Sequence, residues 1–153
     1  MMYMHDMVSY QTVIESYVAG SCACHKVRMA ARAVTRAYDD ALRPVGLRAT
    51  QLAVLVAIAV EGAMSITALA KFMIMDRSTL TRNLRPLEEE GLVAVGLEGW
   101  RRSRTLEVTE KGRSRLSEAL PLWKQAQETL RRKLGERNWV RIHTDLDQLI
   151  RAA

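Results

Sequence analysis

The sequence predicts a mainly α-helical fold that carries one small two-stranded β-ribbon. Apolar residues recur at spacings of three and four over most of the chain, which is the period of helices packed on one face. Two short β-prone runs, 92–95 and 105–108, flank a turn that holds two glycines and three arginines. Helices therefore precede and follow a single hairpin.

Length and charge limit the possible functions. The chain has 153 residues, a formal net charge of +6 and a pI near 9.7. A chain of this size can bury a core as a single structural domain without disulfides, and its charge favours an anionic partner, either nucleic acid or a membrane surface. The longest apolar run, 52–60, is far shorter than the roughly 20 residues that cross a bilayer, so we expect a buried helix and no membrane partner.

Residues 1–20 form an N-terminal arm to which the pattern assigns no role. The arm contains no Lys or Arg, so it lacks the charged start of a secretory signal, and we expect the protein in the cytoplasm. From Cys22 to Arg43 the apolar spacing alternates between four and three, and Pro44 and Gly46 follow. This pattern predicts a long amphipathic helix.

Two helices in the middle of the chain are predicted to follow one another across a tight turn. Ser65 is a suitable N-cap for the first, while Asp76 can cap the second with its carboxylate and Gly91 can end it. The second helix carries an apolar stripe of Leu80, Leu84 and Leu87 opposite a polar face. This order indicates a helix-turn-helix whose polar face suits phosphates and base edges.

The arginines after this helix extend the same interpretation. The tip of a hairpin suits the minor groove of DNA, where the narrow walls concentrate negative potential, although an exposed basic loop can also serve solubility alone. The predicted module is therefore a winged helix-turn-helix. Its expected DNA contacts are Arg77, Ser78, Thr79, Thr81, Arg82, Arg85, Arg101, Arg102 and Arg104.

Residues 51–115 resemble the winged helix-turn-helix core of the MarR family of bacterial regulators. The likeness is carried by Asp-Arg-Ser-Thr-Leu-Thr-Arg at 76–82, Leu-Glu-Glu-Glu-Gly-Leu-Val at 87–93, the arginine wing, and Leu-Glu-Val-Thr-Glu-Lys-Gly-Arg at 106–113. With its flanking helices it covers about residues 22–150. The resemblance implies a homodimeric regulator of transcription, commonly a repressor released by a small phenolic ligand or by thiol oxidation. Trp100 departs from the family pattern, which commonly has aspartate before the paired wing arginines.

A two-fold dimer is also expected on geometric grounds. One recognition helix touches few base pairs, whereas a dimer places two of them one turn apart on a palindromic operator. We therefore expect dimerisation helices at 21–48 and 109–153 around a DNA-binding module at 49–108. The alternative is that their apolar stripes form only the core of one chain.

Cys22, Cys24 and His25 are candidate sensor residues with three interpretations. If Ser21 caps the first long helix, both thiols fall in its first turn, where the helix dipole favours the thiolate and oxidation is easier. An extended segment would instead present both cysteines, with His25, to a zinc ion or an iron-sulfur cluster shared across a dimer. Two partly buried cysteines without a role are the third interpretation.

A ligand site and an enzyme are the remaining alternatives. The resemblance places a small aromatic ligand between the DNA-binding module and the dimer helices, where Arg28, Tyr38 and Trp123 could bind an aromatic acid. Aromatic residues at helical spacing are, however, more often plain core residues. No phosphate loop, nucleophile elbow or zinc-protease motif occurs. We therefore expect no enzyme and no obligatory cofactor, with a thiol peroxidase as the one catalytic alternative.

Overall fold

The computed structural model describes residues 10–15, 20–98 and 103–153, without the side chains of residues 97, 98, 103 and 104. Residues 10–15 are helical, and a 3-10 turn covers Arg43–Val45. The regular elements are α1 (Ala23–Leu42), α2 (Ala49–Glu61), β1 (Met64–Ser65), α3 (Ile66–Phe72), α4 (Arg77–Glu89), β2 (Val93–Glu98), β3 (Ser103–Val108), α5 (Glu110–Leu134) and α6 (Glu136–Ala152). The predicted fold class is confirmed.

The chain divides into two compact units, Met1–Ala37 and Tyr38–Ala153. The first unit contains most of α1, whose apolar residues stay largely in solvent: Val27, Met29 and Val34 are 37%, 49% and 43% exposed. Of the residues in α1, only Leu42 is buried. The apolar stripe of this helix is therefore confirmed as a pattern and lies uncovered in the single chain.

The second unit has one hydrophobic core, built around α2. The predicted buried helix is confirmed, with Leu52, Val54, Leu55 and Ile58 all buried on it. Leucines from α3, α4, β3 and α5 complete the cluster, among them Leu69, Leu80, Leu84, Leu87, Leu106 and Leu116. The helix-turn-helix thus packs against α2 and the rest of the hydrophobic core.

The sheet has three antiparallel strands in the order β1-β3-β2. β2 and β3 form the predicted wing, and they pair from Val93 opposite Val108 to Glu98 opposite Ser103. β1 adds two residues to the other side of β3, with Met64 opposite Leu106 and Ser65 opposite Thr105. This extra strand ties the start of α3 to the base of the wing.

The C-terminal helices differ in how much they bury. α5 buries Gly112, Leu116 and Ala119 near its start, whereas α6 has no buried residue. By length and composition, no single helix in the described ranges could cross a membrane, although the segments Ala23–Val45 and Ala49–Glu61 meet the test as a broken pair. The second of these segments is the core helix α2.

Candidate nucleic-acid interface

The helix-turn-helix is formed by α3, a short turn and α4. The Ser65 hydroxyl accepts a bond from the Ala68 amide at 3.1 Å, which confirms Ser65 as the N-cap of α3. Asp76 occupies the N-cap position of α4, but its side chain makes no capping bond. The expected carboxylate cap is therefore wrong, and the start of α4 leaves amide donors available to an outside acceptor.

α4 separates its apolar and polar residues as the sequence predicts. Leu80, Leu84 and Leu87 are each 0% exposed, which fixes the helix against α2 and α3. Thr79 is partly buried at the boundary between the two faces. The exposed side chains on the other face are Arg77, Ser78, Thr81, Arg82 and Arg85. The structure thus gathers all six α4 residues of the predicted site on or beside one solvent face.

Local hydrogen bonds orient part of this face. The Thr81 hydroxyl donates to the Arg77 carbonyl at 2.8 Å, so its oxygen keeps lone pairs free to accept from a base. Arg82 donates through Nη2 to the Thr79 hydroxyl at 3.3 Å. Thr79 therefore orients the Arg82 side chain. This role differs from the separate DNA contact that the sequence predicts for it.

Arg85 is paired with Glu89 on the same helix. The Arg85 Nε lies 2.8 Å from the Glu89 carboxylate, and both side chains are mostly exposed. The hydrogen bond and the charge of Glu89 raise the pKa of Arg85 above its usual value. Glu89 was missed in the sequence, although an acidic residue four positions from an arginine is a recognised pairing signal on helices.

Gly91 terminates α4, as the sequence predicts, and this residue has a left-handed backbone conformation. Gly91 has φ +69°, its amide donates to the Glu88 carbonyl at 2.9 Å, and the Leu92 amide donates to the Leu87 carbonyl at 2.8 Å. This pattern is a Schellman motif, which satisfies the last carbonyls of the helix and turns the chain into β2.

The first turn of α5 holds this end of α4 in place. The Thr109 hydroxyl donates to the Gly91 carbonyl at 2.7 Å and accepts from the Gly112 amide at 3.0 Å. Lys111 donates to the Glu90 carbonyl at 2.7 Å. The position of α4 is therefore set by its buried leucines and, at its C-terminal end, by α5.

Arg115 adds a second connection between these elements. Its Nη1 donates to the Val45 carbonyl at 2.8 Å and lies 3.3 Å from the Glu90 carboxylate. The Arg115 side chain is only 23% exposed, so this pair is better shielded from water than the Arg85–Glu89 pair on the outer face of α4. Arg115 thus joins the end of α4 to the 3-10 turn that follows α1.

The tip of the wing falls largely outside the described residues. Arg101 and Arg102 belong to the range 99–102, for which the structure describes nothing, and so does Trp100. The backbone of Arg104 pairs with Leu97 in the β2–β3 ladder, and its side chain is not described. Their contacts with DNA remain predictions.

The two cysteines lie at the start of α1. The helix begins at Ala23, and the Cys22 carbonyl accepts the Lys26 amide at 3.1 Å. Cys22 rather than Ser21 therefore precedes the first helical residue, and Cys24 falls in the first turn. Cys22 is half-buried, whereas Cys24 and His25 are exposed. No group of three His, Cys, Asp or Glu side chains suited to a metal occurs within the ranges that the structure describes.

A cavity of about 350 Å³ lies in the second unit between α2 and α5. It is lined by Tyr38, Ala49, Leu52, Ala53, Val56, Leu120 and Trp123. Two of the three predicted ligand residues, Tyr38 and Trp123, thus share one cavity, while the third, Arg28, is an exposed residue of the other unit.

Tyr38 provides a polar group in this largely apolar cavity. Its hydroxyl donates to the Gln127 side-chain oxygen. Partial burial raises the pKa of Tyr38 above its usual value, so the phenol remains a neutral hydrogen-bond donor at physiological pH. The sequence offered no signal for Gln127, because the two residues are 89 positions apart.

Comparison with known proteins identifies relatives of this fold. The family model described as MarR family matches residues 47–95. The crystal structure of the M. tuberculosis transcriptional regulator MosR in complex with DNA is 39% identical to this chain, with a TM-score of 0.78, and the match covers 86% of this chain and 96% of that one. No curated protein sequence matches.

Two more distant solved structures share the fold. BpsR of Bordetella bronchiseptica, whose structure concerns regulation of DNA binding by 6-hydroxynicotinic acid, is 24% identical with a TM-score of 0.75 and covers 84% of this chain and 93% of its own. A mutant MarR of E. coli complexed with operator DNA is 20% identical with a TM-score of 0.77 and covers 90% of this chain and 96% of its own.

Proposed function

We propose, from the premise that this chain belongs to the MarR family, that it is a homodimeric, sequence-specific DNA-binding regulator of transcription. The observation that carries the proposal is the outer face of α4, where Ser78, Thr81 and Arg82 are exposed above a fully buried leucine stripe. Hydroxyl and guanidinium groups on one helix face are suited to base edges in the major groove. The MosR relative, 39% identical, binds DNA.

The wing is proposed to hold the adjacent minor groove or its phosphates. Arg101, Arg102 and Arg104 follow or flank the antiparallel β2–β3 ladder, which starts directly after the anchored end of α4. Their charge would be added to that of Arg77 and Arg85, and the binding free energy would then depend steeply on salt.

A homodimer is supported by apolar side chains that the single chain leaves in solvent. α6 has no buried residue, although it carries several apolar side chains. Val140 and Ile150 are 57% and 58% exposed, and Leu146 and Leu149 are also exposed. An amphipathic helix with an uncovered apolar face is stabilised by burying that face, here against a second copy. We therefore propose that residues 21–48 and 109–153 of two copies form the dimer interface beside the DNA-binding modules at 49–108. We also propose that this dimer binds a palindromic operator in the cytoplasm.

The signal that releases DNA is proposed to act at one of two places. The first is the pair Cys22 and Cys24 at the start of α1, two free thiols of which Cys24 is exposed and open to an oxidant. The second is the cavity with Tyr38 and Trp123, whose size and aromatic walls suit a small aromatic ligand. The Tyr38 hydroxyl, which donates its proton to Gln127, can accept a hydrogen bond from such a ligand.

Operator binding by the whole chain tests the proposed function. Selection from random duplexes, followed by analytical ultracentrifugation, should return a palindrome bound by two chains. Binding without sequence preference, or one chain per duplex, would contradict it. If the protein is a repressor, it should also lower transcription from a promoter that overlaps the selected site.

Matched variants separate the two signals. A disulfide-forming oxidant should release DNA from the wild type but not from a Cys22→Ser/Cys24→Ser variant if the thiols are the sensor. Aromatic carboxylates should quench Trp123 and release DNA from both proteins if the cavity is the sensor. Bound zinc or iron in the purified protein, absent from the double variant, would favour the metal or cluster alternative.

The chain is proposed to have no catalytic activity. Its family and its 39% identical relative are regulators of transcription. A peroxide-consumption assay with a thiol reductant should show no turnover, and sustained turnover would restore the thiol peroxidase alternative.

A further inference from the structure

Two consecutive helices of the helix-turn-helix end in the same backbone motif with different residues at its left-handed position. At the end of α4 this residue is Gly91, with φ +69°. At the end of α3 the Ile74 amide donates to the Lys71 carbonyl at 3.2 Å and the Met75 amide to the Ala70 carbonyl at 2.9 Å, which is again a Schellman motif. Its left-handed residue is Ile74, with φ +52°.

Isoleucine is an unfavourable residue for that position. A left-handed backbone brings the Cβ close to the following carbonyl oxygen, and a β-branched side chain makes this crowding worse, so glycine or asparagine normally occupies such a site. Within the described ranges, Ile74 is the only residue other than glycine with a positive φ. The chain therefore accepts strain at this turn that glycine would remove, as Gly91 does at the next one.

Packing does not account for the isoleucine. Its side chain is 76% exposed, so it contributes little to the core that holds α3 and α4. Exposure alone carries no meaning, because Val60 at the end of α2 is 74% exposed on an ordinary helical backbone. The combination of strain and exposure is what sets Ile74 apart, and strained residues of this kind concentrate at functional sites.

The position of Ile74 indicates what it contacts. It lies in the turn of the helix-turn-helix, two residues before the start position Asp76 of the recognition helix and close in sequence to Arg77. In this motif the N-terminal residues of the recognition helix meet the base edges of the major groove. The apolar group that the major groove offers to a protein is the thymine methyl.

We propose that Ile74 is a specificity-determining residue that packs its apolar side chain against thymine methyl groups of the operator. The inference rests on the proposed function and extends it, because the polar residues of α4 supply hydrogen bonds and charge but no apolar contact of this size. It assigns to the strained turn the selection of a T·A pair beside the bases contacted by Ser78 and Arg82.

The test combines protein variants with a modified operator. Ile74→Gly and Ile74→Asn remove the side chain at a residue type that tolerates the left-handed backbone, Ile74→Val retains a β-branched apolar group, and Val60→Ala is the matched exposed control. Each full-length protein is titrated against the selected operator, a scrambled duplex, and an operator in which thymines of each half-site are replaced one at a time by deoxyuridine, which lacks only the methyl group.

The expected result is a loss of affinity without a loss of stability. Ile74→Gly and Ile74→Asn should bind the operator about tenfold more weakly, scrambled DNA as before, and with an unchanged salt slope, because no phosphate contact is lost. Their melting temperatures should equal or exceed that of the wild type. Deoxyuridine at one half-site position should weaken the wild type and Ile74→Val but add no further loss to Ile74→Gly.

Several results would overturn the inference. If the wild type binds the operator specifically and Ile74→Gly binds it with the same affinity, the inference is refuted while the proposed function stands. A protein partner would then be the expected contact of Ile74. Weaker binding without any coupling to a thymine methyl would also overturn it. A wild type that lacks sequence preference would instead contradict the proposed function itself.

Discussion

Gly112 lies so close to the Leu92 carbonyl oxygen that a Cβ on it would be 2.1 Å from that oxygen and 2.7 Å from the Val108 side chain. No side chain fits there unless α5 moves away from the end of α4. The contact brings the first turn of α5 onto the Schellman turn that ends the recognition helix, where Thr109 and Lys111 bind the same stretch of backbone. This glycine therefore allows α5 to pack closely against the C-terminal end of α4.

Replacing Gly112 by alanine should destabilise the fold. The added methyl group displaces backbone rather than a flexible side chain, so we expect a loss of about 3 kcal/mol in the free energy of unfolding. The melting temperature should fall by about 6–12 °C. Gly96→Ala is the control, because its Cβ would meet nothing closer than 3.8 Å and its φ is not positive. Equal melting temperatures for the two variants would show that α5 does not hold α4 in this way.

Glu89→Gln should strengthen DNA binding. The carboxylate pairs with Arg85 at 2.8 Å on the exposed face of α4 and carries a charge that DNA phosphates repel. Removing it frees Arg85 and should raise the affinity for operator and scrambled DNA alike by about two- to fivefold at low salt. Glu110→Gln removes the corresponding partner of Arg113 and has the same change in charge. Equal gains in the two variants would reduce the effect to net charge alone.

Arg101→Ala/Arg102→Ala should weaken binding and flatten its salt dependence. A dimer loses four guanidinium groups, so the slope of log K against log salt should become shallower by about three to four. Arg132→Ala/Lys133→Ala, in the exposed last turn of α5, removes the same charge away from the wing. An unchanged slope in the wing variant would exclude phosphate contacts there.

Tyr38 should make the fold sensitive to alkali. Burial raises its pKa in the folded state above the usual value for a tyrosine, so its contribution to stability is complete below about pH 10 and is lost as the pH rises through the folded pKa. The wild type should therefore lose stability above pH 10 more steeply than Tyr38→Phe, measured by urea unfolding at each pH. Tyr10→Phe, which removes a phenol that is 70% exposed, should follow the wild type. Parallel curves for all three would contradict the assignment.

Local patterns in the sequence predicted much of the recognition motif. The Ser65 cap, the leucine stripe of α4 and the glycine at the end of α4 each depend on residues within one or two helical turns, and each is confirmed. Asp76 is the local exception, because its position is correct but its side chain does not cap. β1 could not be foreseen, since a two-residue strand is defined only by its partner β3.

The contacts that position the site depend on distant residues. Arg115 and Val45 are 70 positions apart and Tyr38 and Gln127 are 89 apart, so no periodicity connects them. The need for glycine at 112 follows from a carbonyl 20 residues earlier, at Leu92, and becomes evident only in the packed fold. The strain at Ile74 was likewise invisible in the sequence, where isoleucine is unremarkable in a short turn.

The central claim is that the exposed face of α4 selects a DNA sequence. Fluorescence anisotropy with the selected operator and a scrambled duplex, for the wild type and Arg82→Ala, tests it most directly. We predict that the wild type prefers the operator by at least 1,000-fold, as is typical of specific regulators, and that Arg82→Ala loses roughly 10- to 100-fold of that preference while its binding to scrambled DNA changes little. Equal preference in the two proteins would contradict the account.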